Sequence, residues 1–148
     1  MTAPAATAPA TVAAATTART GPRGRGARIA LRTLQVFLGV FFAVASGVPK
    51  LIAHPTAAES FDKLGWGAPG MYTIGALELL GAIALLVPLL SSVAATAFIG
   101  LMAGAFIVTV TQFGGENAAT PLILIVPLAW IAWARRDETT KLIARLRG

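Results

Sequence analysis

The sequence predicts an all-α protein: a four-helix transmembrane bundle with a short amphipathic surface helix between its first two spans. Three observations predict it. Of the 148 residues, 56% are hydrophobic and 12% charged, whereas soluble domains run near half apolar and a quarter charged. The apolar residues fall into four segments, 29–49, 71–90, 93–113 and about 119–134, and a helix rising 1.5 Å per residue needs roughly 20 of them to cross a bilayer. The basic residues flank that interior: five of the twelve lie from Arg19 to Arg32 and five from Arg135 to Arg147. A net charge of +6 placed this way is a topology signal and argues against a nucleic-acid partner.

Residues 1–27 are an Ala/Thr/Pro tract running into GPRGRG, without a periodic apolar face, and are expected to be a disordered cytoplasmic tail. Residues 28–136 form the membrane domain and 137–148 a basic cytoplasmic tail. The first span ends at Pro49 and Lys50. In the loop that follows, AHPTAAESFDKLGWGAPG, Thr56 with Glu59 three residues on reads as a capping box and Gly65 as a helix stop. Ala57, Phe61 and Leu64 share one side of that short helix, which is expected to lie on the outer leaflet with Trp66 at the interface. Ser91-Ser92 reads as a tight inner hairpin between spans two and three, and GGENAATP as the outer loop before span four. The fourth segment is short and carries Pro121 and Pro127, so a kink or an extension by a snorkelling Arg135 is expected. Trp130 and Trp133 belong to the inner aromatic belt.

Four spans return the chain to the side on which it began. Ten Lys and Arg lie on that side and only Lys50 and Lys63 opposite, so the expectation is a multi-pass protein of the plasma membrane with both termini cytoplasmic. The absence of cysteine excludes disulfides and thiolate chemistry, and a single histidine, His54, excludes a multi-histidine metal site within one chain. With no nucleophile–base set and no Gly-rich phosphate loop, the sequence assigns no catalytic residue, no metal and no cofactor.

One acid stands inside the apolar interior: Glu78, in IGALELLGAIALLVP. At about 100° per residue, Gly75, Glu78, Gly81 and Ala82 share one face of span two, opposite Leu79, Leu80, Ile83 and Val87. Small residues admit close approach, so the face with the acid is the one that packs. Span one carries a matching stripe, Gln35, Gly39, Ala43, Ser46 and Lys50. Both charges fall in the outer half, and a Lys50–Glu78 pair, or a neutral protonated Glu78, is the least costly way to keep them there. A small polar site is expected around Lys50 and Glu78, lined by Ser46, Tyr72, Thr109, Gln112 and, deeper, Gln35. Gly100 and Gly104 of span three stand at the GxxxG spacing beside Thr96 and Thr111. They read as intramolecular helix packing, together with Gly39, Gly75 and Gly81. The pair itself has three readings: register-fixing glue, a ligand or proton site, or a partner contact.

The combination SGVPKL, FDKLGWG, IGALELLGAIALLVP and GLMAGAFIVT resembles the DoxX-like family of small bacterial membrane proteins over residues 39–130. The resemblance implies a four-helix transmembrane bundle with Lys50, Phe61, Gly65, Glu78 and Gly81 at motif positions. Many such proteins carry a Thr-His pair in span three, where this chain has Thr109 followed by Val110. Some are associated with quinone-linked sulfur oxidation or with complexes countering oxidative stress. With no cysteine and no redox ligands, the preferred reading is a non-enzymatic accessory or assembly subunit of a membrane complex, of a redox or stress-related kind, that contacts lipid and an unidentified membrane-protein partner. The alternative is a carrier or binder of a quinone or lipid in the outer-half pocket.

Overall fold

The computed structural model describes residues 24–148, and every regular element among them is helical. The first apolar segment gives α1 (Arg25–Val40), a π-helical segment (Phe41–Gly47) and α2 (Val48–Leu51) in one run of 27 residues. Helix α1 starts at Arg25, so the last residues of the tract expected to be disordered are helical, while residues 1–23 lie outside the described residues. The π segment has a local cause. Pro49 brings no N–H for the carbonyl of Ala45 and its ring crowds that carbonyl; a wide turn just before it relieves the clash. Phe42 and Gly47, five residues apart, both turn inward as a result.

Helix α3 (Pro55–Lys63) follows a three-residue break. The expected capping box does not form. Pro55 occupies the first helical turn behind His54, with no side-chain cap, because a proline there needs no N–H partner and has its φ preset. Thr56 lies inside the helix, its carbonyl accepting from Ser60 Oγ at 2.7 Å. Gly65, at φ +72°, ends the helix. Phe61 is buried and packs beside the Trp66 ring at 6.3 Å, while Trp66 stays exposed.

Helix α4 (Gly67–Leu86) is the hub: it packs against α1, the π segment, α2, α3 and α5. It buries Met71, Gly75, Glu78, Ala82 and Leu85, spaced by three and four, and exposes Leu77, Leu80 and Ile83. Val87 adopts an extended conformation before Pro88 and the turn closes by Leu90. Ser91 and Ser92 are thus the buried first residues of α5 (Ser91–Gln112) and not the turn itself. Their hydroxyls donate to Pro88 O at 2.8 Å and Ala132 O at 2.9 Å.

Helix α6 (Ala119–Ala134) packs along α5 and runs unbroken through Pro127. The bend comes later, at Arg135, where α7 (Arg136–Arg147) leaves at 56°. The basic tail is therefore a helix. Three of the helical runs are long and apolar enough to cross a membrane, or up to four if α6 and α7 count as one bent span.

The core occupies the middle of the bundle and the end that carries Arg32 and Arg135. Leu31, Leu38, Phe42, Leu85, Ala95, Phe98, Leu128 and Ile131 form its centre, with the Phe42 and Phe98 rings stacked at 4.0 Å. Gly81 makes that stack possible, since a Cβ there would come within 2.8 Å of the Phe98 ring. Outward from the core lie Phe37, Val44, Leu80, Ile107, Ile123 and Val126, all exposed. A continuous apolar exterior of this kind belongs to a protein whose solvent is lipid.

Candidate functional site

The site is set by a backbone-to-backbone crossing. A Cβ on Gly47 would stand 3.3 Å from Gly75 O, and one on Gly75 would stand 2.9 Å from Lys50 Cβ and 3.2 Å from Gly47 O. Two glycines thus let the π segment and α4 approach more closely than side chains allow. One turn inward from Gly75 is Glu78, and one turn outward from Ser46 is Lys50.

The three polar side chains close on one another. Lys50 Nζ lies 2.8 Å from Glu78 Oε2, and Ser46 Oγ donates to Glu78 Oε1 at 2.9 Å. Lys50 Nζ also donates to Ser46 O and Ser46 Oγ, each at 3.0 Å. The Glu78 side chain is 4% exposed and that of Lys50 18%. Every N–H of the ammonium has an acceptor, whereas each carboxylate oxygen accepts one bond and keeps room for another. The cluster therefore has no free donor and keeps open acceptors.

Beside it lies a cavity of about 490 Å³. Ser46, Lys50 and Glu78 line one side; Phe61, Leu64 and Trp66 come from the outer loop, and Phe42 and Met102 come up from the core. The opposite wall is α5 and α6, through Gly100, Gly104, Thr109, Pro121 and Leu124. Gly100 and Gly104 do not pack a helix, contrary to the expectation from their spacing. Added Cβ atoms at either would meet nothing within 4 Å. The GxxxG face is turned to the cavity because α6 lies against another face of α5. Gly39 and Gly75 do mark close helix contacts: a methyl added at Gly39 would stand 2.9 Å from Leu86 Cδ2, and one at Gly75 equally near Lys50 Cβ.

Of the residues expected to line the site, Ser46 and Thr109 do so, while Tyr72 and Gln112 do not. Tyr72 sits about 120° around α4 from Glu78 and is exposed; Gln112 is the last residue of α5 and also exposed. Gln35 lies at the other end of the molecule. Its Nε2 donates to Leu85 O at 3.2 Å and its Oε1 accepts from Arg135 Nη2 at 2.9 Å. Arg135 in turn pairs with Glu138 at 2.6 Å, and Arg32 reaches Leu86 O at 2.7 Å. That inner polar knot was missed, as were Gly47 and the π segment. The one signal for Gly47 was its place beside Ser46 on the small-residue stripe.

The sequence model of the DoxX-like family matches residues 33–134, a stretch that runs from α1 to the end of α6. No curated protein and no solved structure matches the chain.

Proposed function

The chain belongs to the DoxX-like family, and on that premise we propose that it is a four-span bundle of the plasma membrane whose outer-half cavity binds a small amphipathic molecule through the Ser46–Lys50–Glu78 cluster. The observation that carries this reading is the cavity itself. At about 490 Å³ it falls in the range of small-molecule sites, and the buried pair opens onto it instead of being sealed between helices.

The hydrogen bonds narrow the ligand. Lys50 has no N–H left, and the Ser46, Ser60 and Thr109 hydroxyls donate to protein acceptors; of the cavity's hydroxyls, only exposed Thr120 keeps its proton free. A phosphate or carboxylate ligand would meet a carboxylate and no available ammonium proton. A hydroxyl donor finds open lone pairs on Glu78. The favoured ligand has a hydroxylated head and an apolar body, which is the chemistry of a quinol or a lipid alcohol more than of the oxidised quinone. Phe41, Phe42, Trp66, Leu101 and Leu124 supply the apolar wall for its body.

A role as an accessory or assembly subunit would draw on the exposed apolar faces, which a bilayer covers equally well; the cavity favours the binding reading. Purification in mild detergent followed by organic extraction tests the proposal. A stoichiometric hydroxylated amphipath in the extract supports it. An extract with none, alongside a stoichiometric protein partner, moves the function to assembly.

A further inference from the structure

We infer that a second groove, between the start of α5, the end of α6 and the first turns of α7, holds the headgroup of an anionic phospholipid in the leaflet on the side of Arg135. This open surface groove has a volume of about 630 Å³ and is lined by Val93, Thr96, Ala97, Arg136, Thr139 and Thr140 among others. It lies at the opposite end of the molecule from the Lys50–Glu78 site and shares no residue with it.

Its chemistry is sorted for such a ligand. Arg136 makes no ion pair among the described residues; its guanidinium lies over the Trp133 ring at 4.9 Å. The Thr139 hydroxyl is shielded from solvent and has no hydrogen-bond partner, a state that buried polar groups rarely keep. A free cation and a free hydroxyl donor together suit a phosphate oxygen. Of the carboxylates nearby, Glu138 pairs with Arg135 through Oε1 while its Oε2 is buried without a partner and outside the groove lining, and Asp137 is exposed. Thr96 and Ser92 donate to Ser92 O and Ala132 O, so their hydroxyls position the wall without supplying protons. Below this polar rim, Val93 and Ala97 are exposed and offer an acyl chain an apolar track along α5.

Helix α7 places the groove at a membrane surface. It carries Arg136, Lys141, Arg145 and Arg147 against Asp137 and Glu138, and it exposes Ile143 and, at 78%, Leu146. A helix with four basic residues and two bare apolar side chains, bent 56° from a helix that ends in two tryptophans, fits the interface of an anionic leaflet. The orientation proposed above decides only which leaflet is meant, and the groove stands whatever the outer cavity binds.

The test uses the full chain in nanodiscs with Trp66→Phe and Trp130→Phe, leaving Trp133 as the reporter. Phosphatidylglycerol brominated on its acyl chain should quench Trp133 more than brominated phosphatidylcholine at the same mole fraction. Arg136→Gln should lower the preference about fivefold, from the contribution of one basic residue near an anionic surface. Thr139→Val should lower it too, and Thr139→Ser should keep it. Lys141→Gln, equal in charge but outside the groove, should change it less than about twofold at physiological salt. The Thr139 pair carries the test if Arg136→Gln lowers the melting temperature. Equal quenching by the two lipids, or equal losses from Arg136→Gln and Lys141→Gln, overturns the site. Displacement by excess inorganic phosphate makes it a general anion site and overturns the lipid assignment.

Discussion

The Ser46–Lys50–Glu78 cluster concentrates the residue-scale energetics of the outer half. Removing Lys50 alone strands a carboxylate that is 4% exposed, a change that costs about 3–5 kcal/mol in buried soluble pairs and less where lipid and water meet. Lys50→Met should therefore destabilise the protein more than Glu78→Gln, whose amide still bonds to Ser46 while the lysine snorkels outward. Adding Glu78→Leu to Lys50→Met should recover stability in detergent unfolding; simple additivity of the two single losses contradicts the pairing. Ser46→Ala should cost about 1.5–3 kcal/mol in the same assay, since it removes a hydroxyl bonded to both charges. The pair was legible from sequence because a lone acid and a lone base in apolar segments of adjacent spans have few other ways to be satisfied. The partner of Gln35 was not. Arg135 lies 100 residues away, and no helical period relates positions on helices whose packing order is still unknown.

At the scale of elements, glycines that look alike in sequence separate into two kinds. Gly75 has no room for a methyl, with Lys50 Cβ at 2.9 Å and Gly47 O at 3.2 Å from its place, so Gly75→Ala should destabilise by about 1–3 kcal/mol. Gly104→Ala meets nothing within 4 Å and should stabilise by up to about 1 kcal/mol through helix propensity. Unfolding of the two variants in detergent reads the difference directly, and equal losses would restore the packing role of the GxxxG face. The outer helix gives a second check. Because the chain has no cysteine, single cysteines at Glu59 and Asp62 should react with an aqueous thiol reagent and one at Phe61 should not; uniform labelling of all three contradicts the burial of that face. Three of the apolar segments were legible as spans because their lengths match a bilayer, while the fourth, α6, is 16 residues and reaches that length only together with α7. The π segment and the Pro55 start of α3 were not, since each follows from where a proline ring meets its neighbours and not from composition.

For the whole molecule, the ten-to-two distribution of basic residues predicts that reporters fused at Gly148 and inserted within residues 114–117 localise to opposite faces of the membrane; a shared face removes the orientation. The overall arrangement, with a packed core toward the end that carries Arg135 and a cavity toward the end that carries Lys50, was only half legible. Periodicity shows which face of each helix is small, but which small face meets a neighbour and which meets empty space depends on how α6 lies against α5. That difference turned Gly100 and Gly104 from contacts into cavity wall, and it makes a clean probe of ligand binding in the cavity. Gly104→Leu should fill the space without straining the helix, because nothing stands near its Cβ position. Titrating a short-tailed benzoquinol into the purified protein, with Trp66 fluorescence as the readout and Trp130 and Trp133 replaced by Phe, measures the effect. Saturable binding is expected, weakening at least about tenfold, or about 1.4 kcal/mol, in Gly104→Leu while the melting temperature holds. Binding of equal strength in the filled variant, with the fold intact, would contradict a ligand site in this cavity.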